Sequence, residues 1–362
     1  MTKPRYLLVR IALFALAALM LTACGEAIEL PAPTPTRIPV LAPTAPAAPT
    51  TASEPAPSET QANATPTVEP AAFIQPLATA TETQLEPTPT PEPTVPAEPV
   101  AAVEYNPSQL VLGGAVIVYL NKPAASATLT FGGLQYPMLF DGSRWWAIIG
   151  VGAFAQTGVA PVTIAYNPAD GSPQTAIEGA IPIVYREFPI ENIELSPEAS
   201  ALLDPAIVNN EEALRASLFS GYTTQRLWDG AFLTPADGPI SSIYGVARSY
   251  NGAPVSSYHR GTDFAGTTGD NVYAAAAGRV VFAQELQVRG NTIIIDHGVG
   301  VFTAYSHLSA IGVAEGELVT ARQLMGQMGS TGLVTGPHLH WEVVVRGVEV
   351  DGELWLSGAV GQ

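Results

Sequence analysis

One run near the end of the sequence carries two histidines and reads Gly336-Pro337-His338-Leu339-His340-Trp341-Glu342-Val343-Val344-Val345. Aromatic and β-branched residues dominate the part from His338 to Val345, which predicts a β-strand. Side chains two positions apart lie on the same face of a strand, so the two imidazoles should lie about 7 Å apart along that face. Such a pair can share a metal ion or divide two tasks between its members, and the spacing leaves both alternatives open.

The other histidines lie in the same part of the chain. All five, His259, His297, His307, His338 and His340, fall within the last third of the sequence. The segment His259-Arg260-Gly261-Thr262-Asp263 places an imidazole and a carboxylate four residues apart, on one face if the backbone is extended. Strand patterns also occur at Arg279–Gln284, Thr292–Asp296 and Val301–His307. We therefore predict a mostly antiparallel β-domain over residues 233–356.

Composition limits both the kind of protein and the kind of site. The chain has 362 residues, 33 prolines and a formal net charge of −17, and it contains one cysteine. A single cysteine excludes a disulfide framework and a zinc site built from cysteines. No stretch has the clustered Lys and Arg that nucleic-acid phosphates require, so we expect no nucleic-acid partner.

Two further regions are predicted upstream of the histidine-rich domain. Short apolar runs alternate with glycine turns over residues 104–188, which indicates a β-sandwich that serves as a spacer, packs on the next domain or covers a cleft. Residues 189–232 read as a connector with a helix at Asn210–Phe219, capped by Asn210. The predicted fold is thus mainly β: an accessory sandwich-like domain, a short helical connector and a C-terminal antiparallel sheet.

The first 103 residues have the pattern of a targeting segment and a tether. Basic residues precede an apolar run of about eleven residues at Ile11–Leu21, which is shorter than the roughly twenty that a transmembrane helix needs. Leu21-Thr22-Ala23-Cys24 resembles a bacterial lipobox, which implies a signal peptide at residues 1–23 and a lipid on Cys24. Residues 24–103 are rich in Pro, Thr, Ala and Glu, which predicts a disordered tether.

The histidine-rich domain resembles the M23 metallopeptidases, the lysostaphin and LytM-like family that cleaves peptide bonds in peptidoglycan. The resemblance covers roughly residues 238–356 and rests on an ordered set of motifs. They are Tyr244-Gly245-Val246-Ala247-Arg248, His259-Arg260-Gly261-Thr262-Asp263-Phe264, Gly278-Arg279-Val280-Val281, Ile295-Asp296-His297-Gly298, Tyr305-Ser306-His307-Leu308, Gly329-Ser330-Thr331-Gly332 and Gly336-Pro337-His338-Leu339-His340-Trp341-Glu342.

The resemblance implies a role for each motif histidine. It places one Zn²⁺ on His259, Asp263 and His340, and it makes His307 and His338 catalytic residues that do not bind the metal. Two neutral imidazoles and one carboxylate would leave the zinc an open position for water. We expect His297 to be a structural or surface residue. Glu342 and Tyr305 share strand parity with His340 and His307, so they are candidates to support the ligands or to face the substrate, and neither is expected to bind the metal.

The implied function is that of a zinc metalloendopeptidase, a peptidoglycan hydrolase held outside the cytoplasm by a lipid on Cys24. Its partners would be peptidoglycan peptides, the membrane and the cell-division or cell-wall machinery. One alternative is a non-catalytic LytM-like activator of a cell-wall amidase, and another is a structural wall-binding stalk. The resemblance also implies an accessory region that lies against the groove, so a chain without residues 25–232 is expected to be at least as active.

The lipid anchor predicts the effect of a single substitution. Because Cys24 is the only cysteine and ends the lipobox that follows the apolar run, Cys24→Ala should abolish lipid labelling and membrane retention while the folded domains stay intact. Metabolic labelling with a fatty-acid analogue and membrane fractionation measure these effects. Unchanged labelling of the variant would refute the lipobox interpretation.

Overall fold

Strands predominate in the part of the chain that the structure describes, residues 101–360 of a computed structural model. The predicted signal peptide, Cys24 and nearly all of the predicted tether lie outside the described residues. Within the described part, no helix is long and apolar enough to cross a membrane. The mainly β fold with a C-terminal β-sheet domain confirms the prediction from the sequence.

The first nine strands form two sheets around one apolar core. They are β1 (Val103–Asn106), β2 (Leu110–Val111), β3 (Ala115–Leu120), β4 (Ala124–Phe131), β5 (Leu134–Pro137), β6 (Leu139–Phe140), β7 (Trp145–Gly150), β8 (Gly158–Pro168) and β9 (Thr175–Val184). One sheet has the order β1-β3-β7-β6 and the other β2-β9-β8-β4-β5. Side chains from both sheets form a shared cluster, as in a β-sandwich.

One sheet of the sandwich is buried on both faces. In β3, Val116 and Val118 point into the sandwich core, whereas Ile117 and Tyr119 belong to the core of the C-terminal domain. Side chains alternate between the faces of a strand, so the unbroken apolar run of Ala115–Leu120 supplies two cores at once. The sandwich is therefore packed firmly on the domain that follows it.

The connector comprises a strand and two helices, β10 (Ile190–Ile193), α1 (Pro197–Ala201) and α2 (Pro205–Phe219). The predicted cap at Asn210 is wrong, because α2 begins five residues earlier. Asp204 caps it, with Oδ1 accepting the Ala206 N–H at 2.8 Å, and Pro205 occupies the first turn, where no amide hydrogen is needed. In the sequence, Asp204-Pro205 therefore marks the start of α2.

The C-terminal domain is built on one large sheet. In chain order the strands of the domain are β11 (Ile240–Ser242), β12 (Ala247–Tyr250), β13 (Ser257–Tyr258), β14 (Thr262–Ala265), β15 (Asn271–Tyr273), β16 (Gly278–Leu286), β17 (Gly290–Gly298), β18 (Val301–Ile311), β19 (Leu318–Val319), β20 (Leu324–Met328), β21 (His338–Val345) and β22 (Val348–Val350). Ten of these strands form the large sheet, and β12 and β13 belong to a smaller one. The main order is β11-β14-β21-β18-β17-β16-β19. Helix α3 (Glu353–Leu356) follows, and β10 pairs in parallel with β12, so the connector extends a smaller sheet.

His297, on β17, is a core residue. Its side chain is fully buried, Nδ1 donates to the Ala277 carbonyl at 2.8 Å, and Nε2 lies 2.7 Å from Thr303 Oγ1. The ring also packs against Phe232, with 5.0 Å between the ring centroids. Burial lowers the pKa of His297 from 6.5 to about 4, although the bond to Ala277 and the charge of Asp296 act in the opposite direction.

The low pKa of His297 predicts acid sensitivity with a defined sign. The unfolded state takes up the proton at a higher pH than the folded state, so this stabilisation is complete above pH 6.5 and is lost as the pH falls toward about 4. The loss should approach about 3 kcal/mol in the free energy of unfolding. His297→Gln, which does not titrate, should be less stable than wild type near neutral pH, and the difference should shrink on acidification.

Urea denaturation of both proteins across that pH range measures the difference directly. Parallel stability curves for wild type and His297→Gln would contradict a buried neutral histidine.

Candidate metal centre

Three potential ligands meet where β14 pairs with β21. In that register Asp263 lies directly opposite His340, and His259 lies three residues before the start of β14. Asp263 Oδ1 is 3.0 Å from His259 Nε2 and 2.8 Å from His340 Nδ1, and the two nitrogens are 3.0 Å apart. All three side chains are buried. Among the described residues, no other group of three or more His, Cys, Asp or Glu side chains lies close enough together to hold a metal ion.

The hydrogen bonds behind the two imidazoles fix which nitrogens face the centre. His259 Nδ1 donates to the Ile243 carbonyl at 2.8 Å, and His340 Nε2 donates to Glu342 Oε1 at 2.9 Å. In the neutral rings the remaining nitrogens therefore carry lone pairs. Burial lowers the pKa of His259 to about 4, despite the opposing effect of Asp263, so this ring is neutral at pH 7.

The donor set fits a divalent cation. Burial alone would raise the pKa of Asp263, but the two neighbouring imidazoles hold it well below its usual value, so the group is a carboxylate anion. These contacts need a proton on the facing ring nitrogens; when both imidazoles are neutral, two lone pairs and an anionic oxygen lie within 4.8 Å of one another and repel unless a cation lies among them. Neutral imidazoles with a carboxylate are ligands that zinc accepts, so His259, Asp263 and His340 could hold it.

Gly261 allows this close approach of the two ligand strands. A Cβ atom on Gly261 would collide with the Trp341 carbonyl oxygen and would lie 3.0 Å from both Glu342 Cγ and His340 Cε1. Contacts this short force the neighbouring atoms to move, and here one of those atoms is backbone. Glycine between His259 and Asp263 is therefore a packing requirement of the site.

The other two predicted site histidines lie beside these ligands. The rings of His307 and His338 are 4.9 Å apart between centroids, and His338 Nε2 is 3.8 Å from Asp263 Oδ1. His307 Nδ1 donates to the Thr331 carbonyl at 2.8 Å, and His338 Nδ1 donates to the Gly336 carbonyl at 2.9 Å. In its neutral form each ring therefore has its lone pair on Nε2, the atom that a general base uses.

His307 occupies an unusual backbone conformation that turns it toward the site. Its φ is 64°, in the left-handed region. The register between β17 and β18 shifts here: Ile293 pairs with Tyr305, but Asn291 pairs with Leu308, so β18 has one extra residue. Burial lowers the pKa of His307 well below 6.5, and His340 and His338 lower it further, so the ring is neutral. Strained positions of this kind concentrate at functional sites.

The same irregularity makes the expectation for Tyr305 wrong. Strict alternation would put Tyr305 on the face of His307, but the extra residue of a bulge reverses the parity. Tyr305 is fully buried in the domain core, where its hydroxyl accepts the Ala275 N–H at 2.9 Å. It therefore neither faces a substrate nor supports a ligand.

Glu342 does support a ligand, and its own partners were not predicted from the sequence. Its carboxylate is completely buried and accepts from His340, from Arg289 Nε at 3.0 Å and from Arg215 Nη1 at 3.2 Å. Burial would raise the pKa of Glu342, but Arg215, Arg289 and His340 hold it well below its usual value. The available signal for Arg215 was its helical spacing of four from Glu211 and Phe219, the other buried residues of α2.

The site opens into a groove of about 890 Å³. Connector residues 191–195 and the first half of α2 line one side, and residues 333–338 line another. None of the described sandwich residues lines the groove, so the expectation that the sandwich covers a cleft is not met there. The part of the accessory region that lies against the groove is the connector.

Comparisons with known proteins agree with this geometry. The family described as Peptidase family M23 matches residues 257–352. Peptidoglycan DD-endopeptidase ShyA of Vibrio cholerae serotype O1 is 46% identical over 93 residues, which are 26% of this chain and 22% of that protein. Murein hydrolase activator NlpD of Salmonella dublin is 35% identical over 122 residues, 33% of this chain and 30% of the relative. The chain thus spans less than a third of either relative.

A solved structure extends the likeness beyond the ligand-bearing domain. The crystal structure of a protein assigned to peptidase M23 from Pseudomonas aeruginosa has a TM-score of 0.53 and 26% sequence identity, and the match covers 69% of this chain and 96% of that one. The 69% of this chain that the structural match covers is more than residues 257–352, so regions before residue 257 are also similar to that structure. Together with the motif geometry, these matches show that residues 257–352 form a peptidase family M23 domain.

Proposed function

We propose that this protein is a zinc-dependent endopeptidase that hydrolyses peptide bonds of bacterial peptidoglycan, and that a lipid on Cys24 holds it outside the cytoplasm. The observation that carries the proposal is the completeness of the site. Three ligand atoms converge within 4.8 Å, and two further histidines direct free Nε2 atoms toward the same groove. A hydrolase needs both sets, whereas a structural metal site needs only ligands.

The chemistry is divided among the five residues. His259, Asp263 and His340 would hold the zinc, which when bound polarises the scissile carbonyl and makes a water molecule more acidic. His307 and His338 would accept the proton of the attacking water at Nε2. Once protonated, the same atom can donate to the oxyanion or to the leaving amine. Their Nδ1–H bonds to backbone carbonyls keep both rings in the tautomer that this work requires.

The second candidate is an activator of another cell-wall hydrolase, because one similar protein is described as a murein hydrolase activator. An activator needs a binding surface, and it needs neither His307 nor His338 in a reactive tautomer. The presence of all three ligands and both further histidines therefore favours the enzyme. Digestion of purified peptidoglycan by the full chain, with and without a zinc chelator, separates the two: chelator-sensitive release of new amino termini indicates an endopeptidase, and binding without release indicates an activator.

Substitution of His340 and His338 tests the division of roles on one strand. His340→Ala removes one of three ligands, so zinc content and hydrolysis should fall together, with a lower Tm because bound metal stabilises the fold. His338→Ala removes no ligand, so zinc content should stay near that of wild type while turnover falls by about 10²-fold or more. Metal analysis of each purified variant beside the digestion assay gives both readings.

His307→Ala is the matched variant on the neighbouring strand, and it should behave like His338→Ala. Loss of zinc from His338→Ala as complete as that from His340→Ala would show that the pair shares the metal. Wild-type hydrolysis by both His307→Ala and His338→Ala would refute their catalytic role.

A further inference from the structure

We propose that Arg215, on the connector helix α2, is a positioning residue of the metal site. It acts through Glu342, whose carboxylate orients the ligand His340. The inference rests on the proposed zinc site and adds to it a residue that lies outside the M23 domain at residues 257–352. The strength of metal binding would then depend on the connector.

Arg215 contacts Glu342 directly, and both side chains are shielded from solvent. Both terminal nitrogens of the Arg215 guanidinium contact the carboxylate, Nη1 with Oε1 at 3.2 Å and Nη2 with Oε2. The side chain of Arg215 is 3% exposed and that of Glu342 is 0% exposed. A forked pair fixes the plane of the carboxylate as well as its position. Water can take over neither role at this depth.

The Glu342 carboxylate also sets the tautomer and the ring orientation of His340. Glu342 Oε1 accepts the Nε2–H of His340, which leaves the lone pair on Nδ1, 2.8 Å from Asp263 Oδ1 and 3.0 Å from His259 Nε2. Partners behind a metal-bound imidazole set its tautomer and ring orientation. A rotation of the Glu342 carboxylate would therefore turn the ligand ring away from the other two ligands.

Arg289 supplies only part of what the carboxylate needs. Its Nε donates to Glu342 Oε1, whereas Oε2 has its ion-pair contact with Arg215. A buried carboxylate that loses one of two cations shifts toward the other. This shift moves the oxygen that holds His340.

Contacts one turn before and one turn after Arg215 hold helix α2 against the sheet, which limits the movement of Arg215. One turn before it, Glu211 accepts the backbone N–H groups of Val288 and Arg289, at 2.7 and 3.1 Å. One turn after it, Phe219 packs edge-on against Phe302. These anchors hold the helix on both sides of Arg215. Under this proposal, a chain without residues 25–232 would lack Arg215 and would leave Glu342 with Arg289 alone, so it should bind zinc more weakly even if its groove is more open.

The experiment measures zinc affinity in the full chain by competition with a chromophoric chelator. Arg215→Met, which keeps much of the side-chain volume and removes the charge, should bind zinc about 10- to 100-fold more weakly than wild type. Arg215→Lys keeps the charge but cannot form the fork, so it should also bind more weakly. This second variant serves the test if Arg215→Met does not fold.

Arg186→Met is the matched control. Arg186 also lies before the M23 domain and pairs with a buried carboxylate, Asp351, at 2.6 Å, but Asp351 does not hydrogen-bond to His259, Asp263 or His340. This variant should lose stability of the metal-free protein, measured as Tm, while its zinc affinity stays at the wild-type level. A purely fastening role for Arg215 would give the same result for Arg215→Met.

A double variant tests the route through Glu342. In a Glu342→Gln background, Arg215→Met should cause little further loss of zinc affinity, because the carboxylate through which it acts is gone. The proposal is wrong if Arg215→Met and Arg215→Lys bind zinc like wild type, or if Arg215→Met causes the same loss in both backgrounds. Absence of zinc binding by wild type would instead refute the proposed function, so the two failures are distinct.

Discussion

The pairing of β14 with β21 is the constraint on which the site depends. Because Asp263 lies opposite His340 in that register, the carboxylate and the imidazole face each other across one ladder step, and His259 reaches them from just before β14. A slip by one residue would send His340 and His338 to the opposite face. The lack of a side chain at Gly261 lets the two strands approach, so backbone packing and ligand geometry are one requirement.

Placing this cluster in the interior requires compensation for several buried charges. Asp263 faces two imidazoles, and Glu342 faces two arginines and a histidine, so each anion has partners on more than one side. Removing one partner of such a group costs more than a surface ion pair would, since no water replaces it. The polar interior is therefore a set of interdependent contacts that hold the ligand rings in a single orientation.

The three regions of the described chain contribute differently to this site. The sandwich shares a core with the C-terminal sheet through β3 and β7, but it does not line the groove. The connector lines the groove and, through Arg215 and Glu211, contacts the residues behind and beside the ligands. Removing the whole upstream region would therefore combine two effects, an opened groove and a less well supported His340. Single substitutions in α2 separate them.

Local patterns in the sequence predicted the mainly β fold, because strand periodicity and turn residues are properties of a few neighbouring positions. The ordered motifs that resemble the M23 family singled out His259, Asp263, His307, His338 and His340, which the structure brings together around one groove. The bulge that turns His307 toward the groove and Tyr305 into the core depends on how β17 and β18 pair, so parity along one strand missed it. Arg215 and Glu342 are 127 residues apart, and only the packing of α2 against the sheet makes them partners, because a buried ion pair is a property of two distant segments and of the water excluded between them.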